Sequence, residues 1–127
     1  TANTVGSEVS NSISVGSNGG AFYESPIKAF GKIASNGDIE KATPGIMVDR
    51  LAAGNYRVFL PAGLVSDDDY IIQLSLLSRN GTGNDDPGIT YFNQGGNSFD
   101  VRIGDNDNGG GTRIFYDSEF MFSILDF

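Results

Sequence analysis

The chain has no cysteine, no histidine and no tryptophan. Without cysteine it has no disulfide, no thiol nucleophile and no thiolate zinc site, and its redox compartment stays open. Without histidine it has no Ser–His–Asp triad and no imidazole metal centre. No apolar run reaches the ~18 residues that a membrane-spanning helix needs, so no membrane insertion is expected. No apolar repeat of 3.6 residues persists over ten positions, which argues against helices. Basic residues are scarce, 8 against 16 acidic ones, for a formal net charge of −8. Such a surface repels phosphate backbones, so nucleic acid is not an expected partner. The sequence opens on Thr1 with no signal-peptide pattern, which leads us to expect a processed product or a domain cut from a longer chain.

What is abundant is turn chemistry. The 127 residues suffice for one domain with a substantial core, and they include 18 glycines alongside many Asn, Asp and Ser. Residues 1–25 (TANTVGSEVSNSISVGSNGGAFYES) hold few aliphatic side chains and read as a linker or a shaft-proximal segment. The remainder, 26–127, reads as a domain of roughly seven to nine strands. Asn36-Gly37 sits between two strand-like runs, a strong hairpin signal. Gly31 interrupts the first of these runs and suggests a bulge. GIMVDRL (45–51) and YRVFLP (56–61) flank a tight turn at Ala53-Gly54-Asn55. In YIIQLSLL, the alternate residues Tyr70, Ile72, Leu74 and Leu76 form one apolar face. GITYFNQ (88–94) and SFDVRI (98–103) follow, the latter with Phe99, Val101 and Ile103 inward and Asp100 and Arg102 turned toward solvent or a partner. The final run, DSEFMFSILDF, places Phe120, Phe122 and Ile124 on one face and Met121, Ser123, Leu125 and Phe127 on the other. Both faces are largely apolar, so this strand is expected inside a sheet, with its second face against another layer or subunit.

The fold class is therefore all-β: a small antiparallel β-sandwich or jelly-roll-like domain, oligomeric if that second face meets a further subunit.

Chemistry is expected in the turn-rich loops 79–88 and 104–113. Asp105-Asn106-Asp107-Asn108-Gly109-Gly110 spaces oxygen donors like the first half of a calcium loop. The bidentate acid of an EF-hand would fall on Tyr116, so the second half is missing, and the competing reading is a glycine-rich turn. As a metal site it would use Asp105 and Asp107, with Asp85 or Asp86 from the neighbouring loop; no other cofactor is implied. Polar and aromatic residues suited to sugar hydroxyls and ring faces are Arg79, Asn80, Tyr91, Asn93, Gln94, Arg102, Arg113 and Tyr116. Nothing marks a catalytic carboxylate pair, which would need a desolvating cleft. The chain is not read as an enzyme.

The order of GNYRVFLP, YIIQLSLL, NDDPGITYFNQ, NSFDVRIGDNDNGG and DSEFMFSILDF resembles the C-terminal tip domains of phage tail-fibre-like proteins and trimeric bacterial fibre adhesins, with an H-type-lectin-like layout. The phrase AFGKI through Asn36-Gly37 precedes a G-x-Y-x-V-x-x-P strand, Gly54 to Pro61, and the likeness spans about residues 28–127. H-type lectins typically end in a tryptophan-bearing strand, which this chain lacks, so no sugar site carries over. The resemblance implies an H-type-lectin-like form of the β-sandwich in a homotrimeric state, and with it a non-catalytic, multivalent receptor-binding module at a cell surface or virion, recognising a glycan or protein receptor. The alternative is an assembly protein, such as a capsid or complement-head-like trimer without a glycan ligand.

Overall fold

The computed structural model describes residues 5–79, 86–106 and 111–127. These residues form eleven strands and no helix: β1 (Ile13–Val15), β2 (Ala21–Tyr23), β3 (Ile27–Ile33), β4 (Ile39–Ala42), β5 (Met47–Ala52), β6 (Asn55–Phe59), β7 (Ile71–Leu76), β8 (Pro87–Phe92), β9 (Ser98–Asp105), β10 (Ile114–Phe115) and β11 (Phe120–Leu125). The count exceeds the expected number because β1, β2 and β10 are runs of two or three residues, too short for alternation to reveal. β1 and β2 pair with each other as a separate exposed hairpin inside segment 1–25.

The larger strands make two antiparallel sheets. One is ordered β4-β3-β11-β7. In the other, β9 pairs with β8 along one edge and with β6 and then β10 along the opposite edge, and β5 pairs with β6. The chain crosses repeatedly between the sheets, so neighbours in space are often distant in sequence. The terminal strand β11 lies inside its sheet, between β3 and β7, as its two-faced apolarity requires.

The core lies between the sheets. Tyr56, Val58, Phe99, Val101 and Ile103 from one meet Ala29, Ile33, Phe120, Phe122 and Ile124 from the other. The rings of Tyr56 and Phe120 pack at 5.0 Å between centroids, and those of Phe99 and Phe122 meet edge to face at 5.8 Å. Each fully buried side chain of this size contributes roughly 1.5–3 kcal/mol, enough to fix the alternation of β6, β9 and β11 toward one side.

Local chemistry sets the connections. Gly37 has a φ of 92°, and the Asn36 side chain accepts from the Asp38 amide to close the β3–β4 turn. Gly31 itself pairs regularly with both Phe122 and Ala42, and the irregularity of the β3–β4 pairing falls one residue further on, between Lys32 and Ile33. The missing side chain of Gly31 makes room for the Phe122 ring, since a Cβ would stand 2.5 Å from a ring carbon. After β11, the Asp126 amide bonds to the Pro26 carbonyl, and its carboxylate accepts from the Ser66 amide and hydroxyl.

Candidate functional site

The antiparallel register places three rows of side chains on the outer face of the five-stranded sheet. Phe115, Gly104 and Gly88 form the first row, and Asn55, Arg102 and Thr90 the second. Arg57, Asp100 and Phe92 form the third. All are the outward half of the alternation that buries Val101 and Ile103 on the other side.

In the third row, Arg57 donates to Asp100 from Nε at 2.7 Å and from a terminal nitrogen at 3.0 Å, and the Asn93 amide donates to the same carboxylate at 2.9 Å. Asp100 is thereby only 2% exposed although it lies on the outer face, which corrects the expectation that it faces solvent or a partner. The two-pronged Arg57 bond, helped by Asn93, holds its carboxyl below the ordinary carboxylate range, against the opposing effect of burial. Asn93 adopts a φ of 50°, which Asn tolerates better than other residues with a β-carbon, and this aims its amide. Gln94 is equally committed, donating to the carbonyls of Asp68 and Tyr70.

Between the first and second rows lies a depression of about 280 Å³. Gly88 and Gly104 form its floor, Thr90, Arg102, Arg113 and Phe115 its walls, and Asp86 and Asn106 its rim, with Asp105, the buried partner of Arg79, also in the lining. The Arg102 guanidinium lies between two rings, 4.4 Å from the Phe92 centroid and 5.2 Å from that of Phe115. Arg113 approaches the same Phe115 ring at 5.3 Å. Stacking covers the faces of a guanidinium and leaves its N–H edges available.

Charge pairing separates these two arginines from the rest. Lys28 pairs with Glu24, Lys32 with Glu40 and Glu119, Arg50 with Asp117, Arg57 with Asp100, and Arg79 with Asp105. Of the eight basic residues, that leaves Lys41, Arg102 and Arg113 without a carboxylate partner among the described residues.

The other expected site residues sit elsewhere. Arg79 bonds at 3.0 Å to Asp105, which is fully buried, and its guanidinium lies 4.1 Å from the Tyr116 ring centroid. The Tyr116 hydroxyl is buried without a hydrogen-bond partner, and desolvation raises its pKa. Arg79 thus braces Asp105, with the Tyr116 ring against its guanidinium. Tyr91 lies opposite Val101 on the inward side of β8, at an open seam beside Ile72, Leu74 and Ile89, away from the arginines. Asn80, Asp85 and Asp107 lie outside the described residues. Among those described, no three metal-ligating side chains converge, and Asp105 is held by Arg79.

Sequence reasoning missed Phe92, Phe115, Thr90 and the glycine floor. Alternation along 88–94 carried the signal for Thr90 and Phe92, while Phe115 falls in a strand of two residues. It also missed Asp117, which accepts from Arg50, from the Gly54 amide at 2.8 Å and from the Tyr56 hydroxyl at 3.2 Å. The hydrogen bond from Arg50 is the main cause that holds this carboxyl low, and burial pushes the Tyr56 hydroxyl up to about 12.

These two carboxyls give a pH prediction. Their folded pKa values lie below the ordinary value of 3.8, so their stabilisation is complete above that value. It is lost as pH falls through the lower folded values. Urea unfolding should therefore show stability declining from about pH 4 downward. Asp100→Asn should be less stable near neutrality and lose less on acidification. An unchanged acid profile in that variant would refute the assignment.

The outer face of the four-stranded sheet is different in character. Across its rows, Leu125 lies between Ile27 and Ile71, Ser123 between Phe30 and Gln73, and Met121 between Lys32 and Ser75. Ile27, Phe30, Ile71 and Met121 are each about half exposed, and Phe127 is fully exposed. Within the single chain no described segment forms a second layer over this face. Compared with protein-family models, curated proteins and solved structures, the chain matches none.

Proposed function

We propose that this domain is a non-catalytic recognition module, the tip of a fibre-like surface protein, acting as a homotrimer on a cell-surface glycan or protein receptor. The observation that carries the reading is the contrast between its two outer faces. One exposes Ile27, Phe30, Ile71, Met121 and Phe127 among Ser123, Gln73, Ser75 and Lys32, apolar side chains of the kind that mark a contact with another chain when they share a face. The other is polar and carries two arginines, without carboxylate partners among the described residues, beside the rings of Phe92 and Phe115. In this reading the apolar face meets further copies, and the polar face meets the ligand. Trimerisation would let three weak sites act together, raising avidity over single-site affinity by about 10²–10⁴. Asp100 supports a non-catalytic role, because Arg57 holds its carboxyl below the ordinary range, the opposite of the raised pKa that an acid catalyst requires.

The extent of the apolar face also favours a second reading, a structural assembly protein whose surface exists only to hold neighbours. Size-exclusion chromatography with light scattering, paired with a glycan array, separates the readings. A trimer with glycan hits supports the recognition module. A trimer with a blank array supports the assembly protein. A monomer at micromolar concentration refutes the trimeric tip.

A further inference from the structure

We infer that the depression between Arg102 and Arg113 receives a single acidic group of a sugar chain, a carboxylate or a sulfate ester. This rests on the recognition reading and specifies its ligand class.

The argument starts from charge. In a chain of net charge −8, cations are few, and most are held by carboxylates. Among the described residues Arg102 and Arg113 have no ion-pair partner, yet both converge on the Phe115 ring. Phe92 and Phe115 cover the faces of Arg102, so little side-chain entropy remains to be lost when its N–H edges engage a ligand. Carboxylate and sulfate groups match those edges with paired, charge-assisted hydrogen bonds.

Shape adds to this. At Gly88 an added Cβ would meet no atom within 4 Å, so the space above it is open. At Gly104 it would stand 2.9 Å from the Ile114 carbonyl oxygen, so that glycine is required by the packing of β10. Two adjacent residues without side chains thus lower the floor between the arginines. Thr90 and Asn106 stand at the margin as hydroxyl-sized donors and acceptors, which suits a hydroxylated ring bearing the acid.

The same charges limit the ligand. Asp86 lies on the rim, and the protein as a whole repels negative charge. A polyanion would bring several charges against that field, whereas one isolated acidic group can sit against the two arginines and away from Asp86 and Asp105, the carboxylates that also line the depression.

The test uses the intact chain on an array of neutral, carboxylated and sulfated glycans, followed by calorimetric titration of the strongest binder. Three variants accompany it: Arg102→Gln, Arg113→Gln and Gly88→Val. Gly88 is an exposed strand position with a permitted backbone, so valine fills the depression while suiting the strand. We expect acidic glycans to lead the array, carboxylated or sulfated according to which source is the natural one. Each arginine variant should bind about tenfold more weakly or worse. Gly88→Val should bind least while keeping the melting temperature of the parent. Neutral hits alone, or acidic hits indifferent to all three variants, would overturn the inference and leave the recognition module standing. Free sulfate or acetate binding as tightly as the glycans would overturn the sugar component. An array blank for every class would overturn the inference together with the glycan-binding form of the recognition reading.

Discussion

Gly54→Ala is expected to lower the stability of the domain by about 2–6 kcal/mol, one of the largest effects of any single-methyl addition in the chain. Gly54 closes the two-residue turn between β5 and β6 with a φ of 68°. Any residue with a β-carbon pays a strain of about 1–2 kcal/mol there. Steric overlap adds more than that strain. The added Cβ would run into the carbonyl oxygen of Ile103 and stand 2.8 Å from that of Tyr116. Both are backbone atoms, one in β9 and the other just past β10 where the Tyr116 amide bonds to the Ile103 carbonyl, and neither can swing aside as a side chain could. The Gly54 carbonyl also accepts from the Ile103 amide at 2.7 Å, and its own amide donates to Asp117. Displacing the turn would therefore break the junction where β6 hands over to β10 along β9. Gly63→Ala is the matched control. Gly63 has a similar φ of 78° but open space where its Cβ would go. It should show only the strain, about 1–2 kcal/mol. Urea unfolding of the two variants checks the difference; equal losses would show that the close backbone approach at Gly54 is not tight.

The contrast between these glycines shows what the sequence could and could not disclose. A turn was legible at Gly54, and both glycines adopt a positive φ in turns of the structure. What distinguishes them is a strand roughly fifty residues downstream that passes over one and not the other. The same holds for Gly31, where an interrupted strand suggested a bulge. Its actual cause, the Phe122 ring, arrives from the far end of the chain. By contrast, the alternation of β7, β9 and β11 was readable, because a period of two depends only on local residues and a wet–dry boundary. So was the interior position of β11, since two apolar faces leave little choice. The pairing partners were not readable. The chain changes sheet after β4, after β6, after β7 and again before β11, and nothing local records such a crossing.

The candidate site was legible in the same uneven way. Arg102 and Arg113 were singled out, and they do meet at one depression. Arg79, Asn93 and Tyr116 were singled out on identical grounds and are engaged with Asp105 and Asp100 or buried beside them. In sequence, an arginine that braces the fold looks the same as one that faces a ligand. The partner decides, and for Arg79 and Arg57 the partner lies 26 and 43 residues away.

Stability measurements should sort the arginines accordingly. Arg79→Met is expected to cost about 3 kcal/mol, or roughly 10 °C in melting temperature for a domain of this size. Asp105 is fully buried at the end of β9, and Arg79 meets it at 3.0 Å. Methionine keeps much of the side-chain volume over Tyr116 but supplies no charge. The carboxylate is then left in the interior without its cation, and the penalty for that exceeds anything the pair itself contributes. Arg102→Gln should behave oppositely. Its guanidinium is exposed and has no carboxylate partner among the described residues, so only its stacking on Phe92 and Phe115 is lost, about 0.5–1 kcal/mol. The urea midpoint should therefore fall steeply in the first variant and barely in the second, with the same slope in both. If Arg102 proved to be the stabilising residue and Arg79 the dispensable one, the division between bracing and ligand-facing arginines would be inverted, and the depression above Gly88 would lose its claim to be a site.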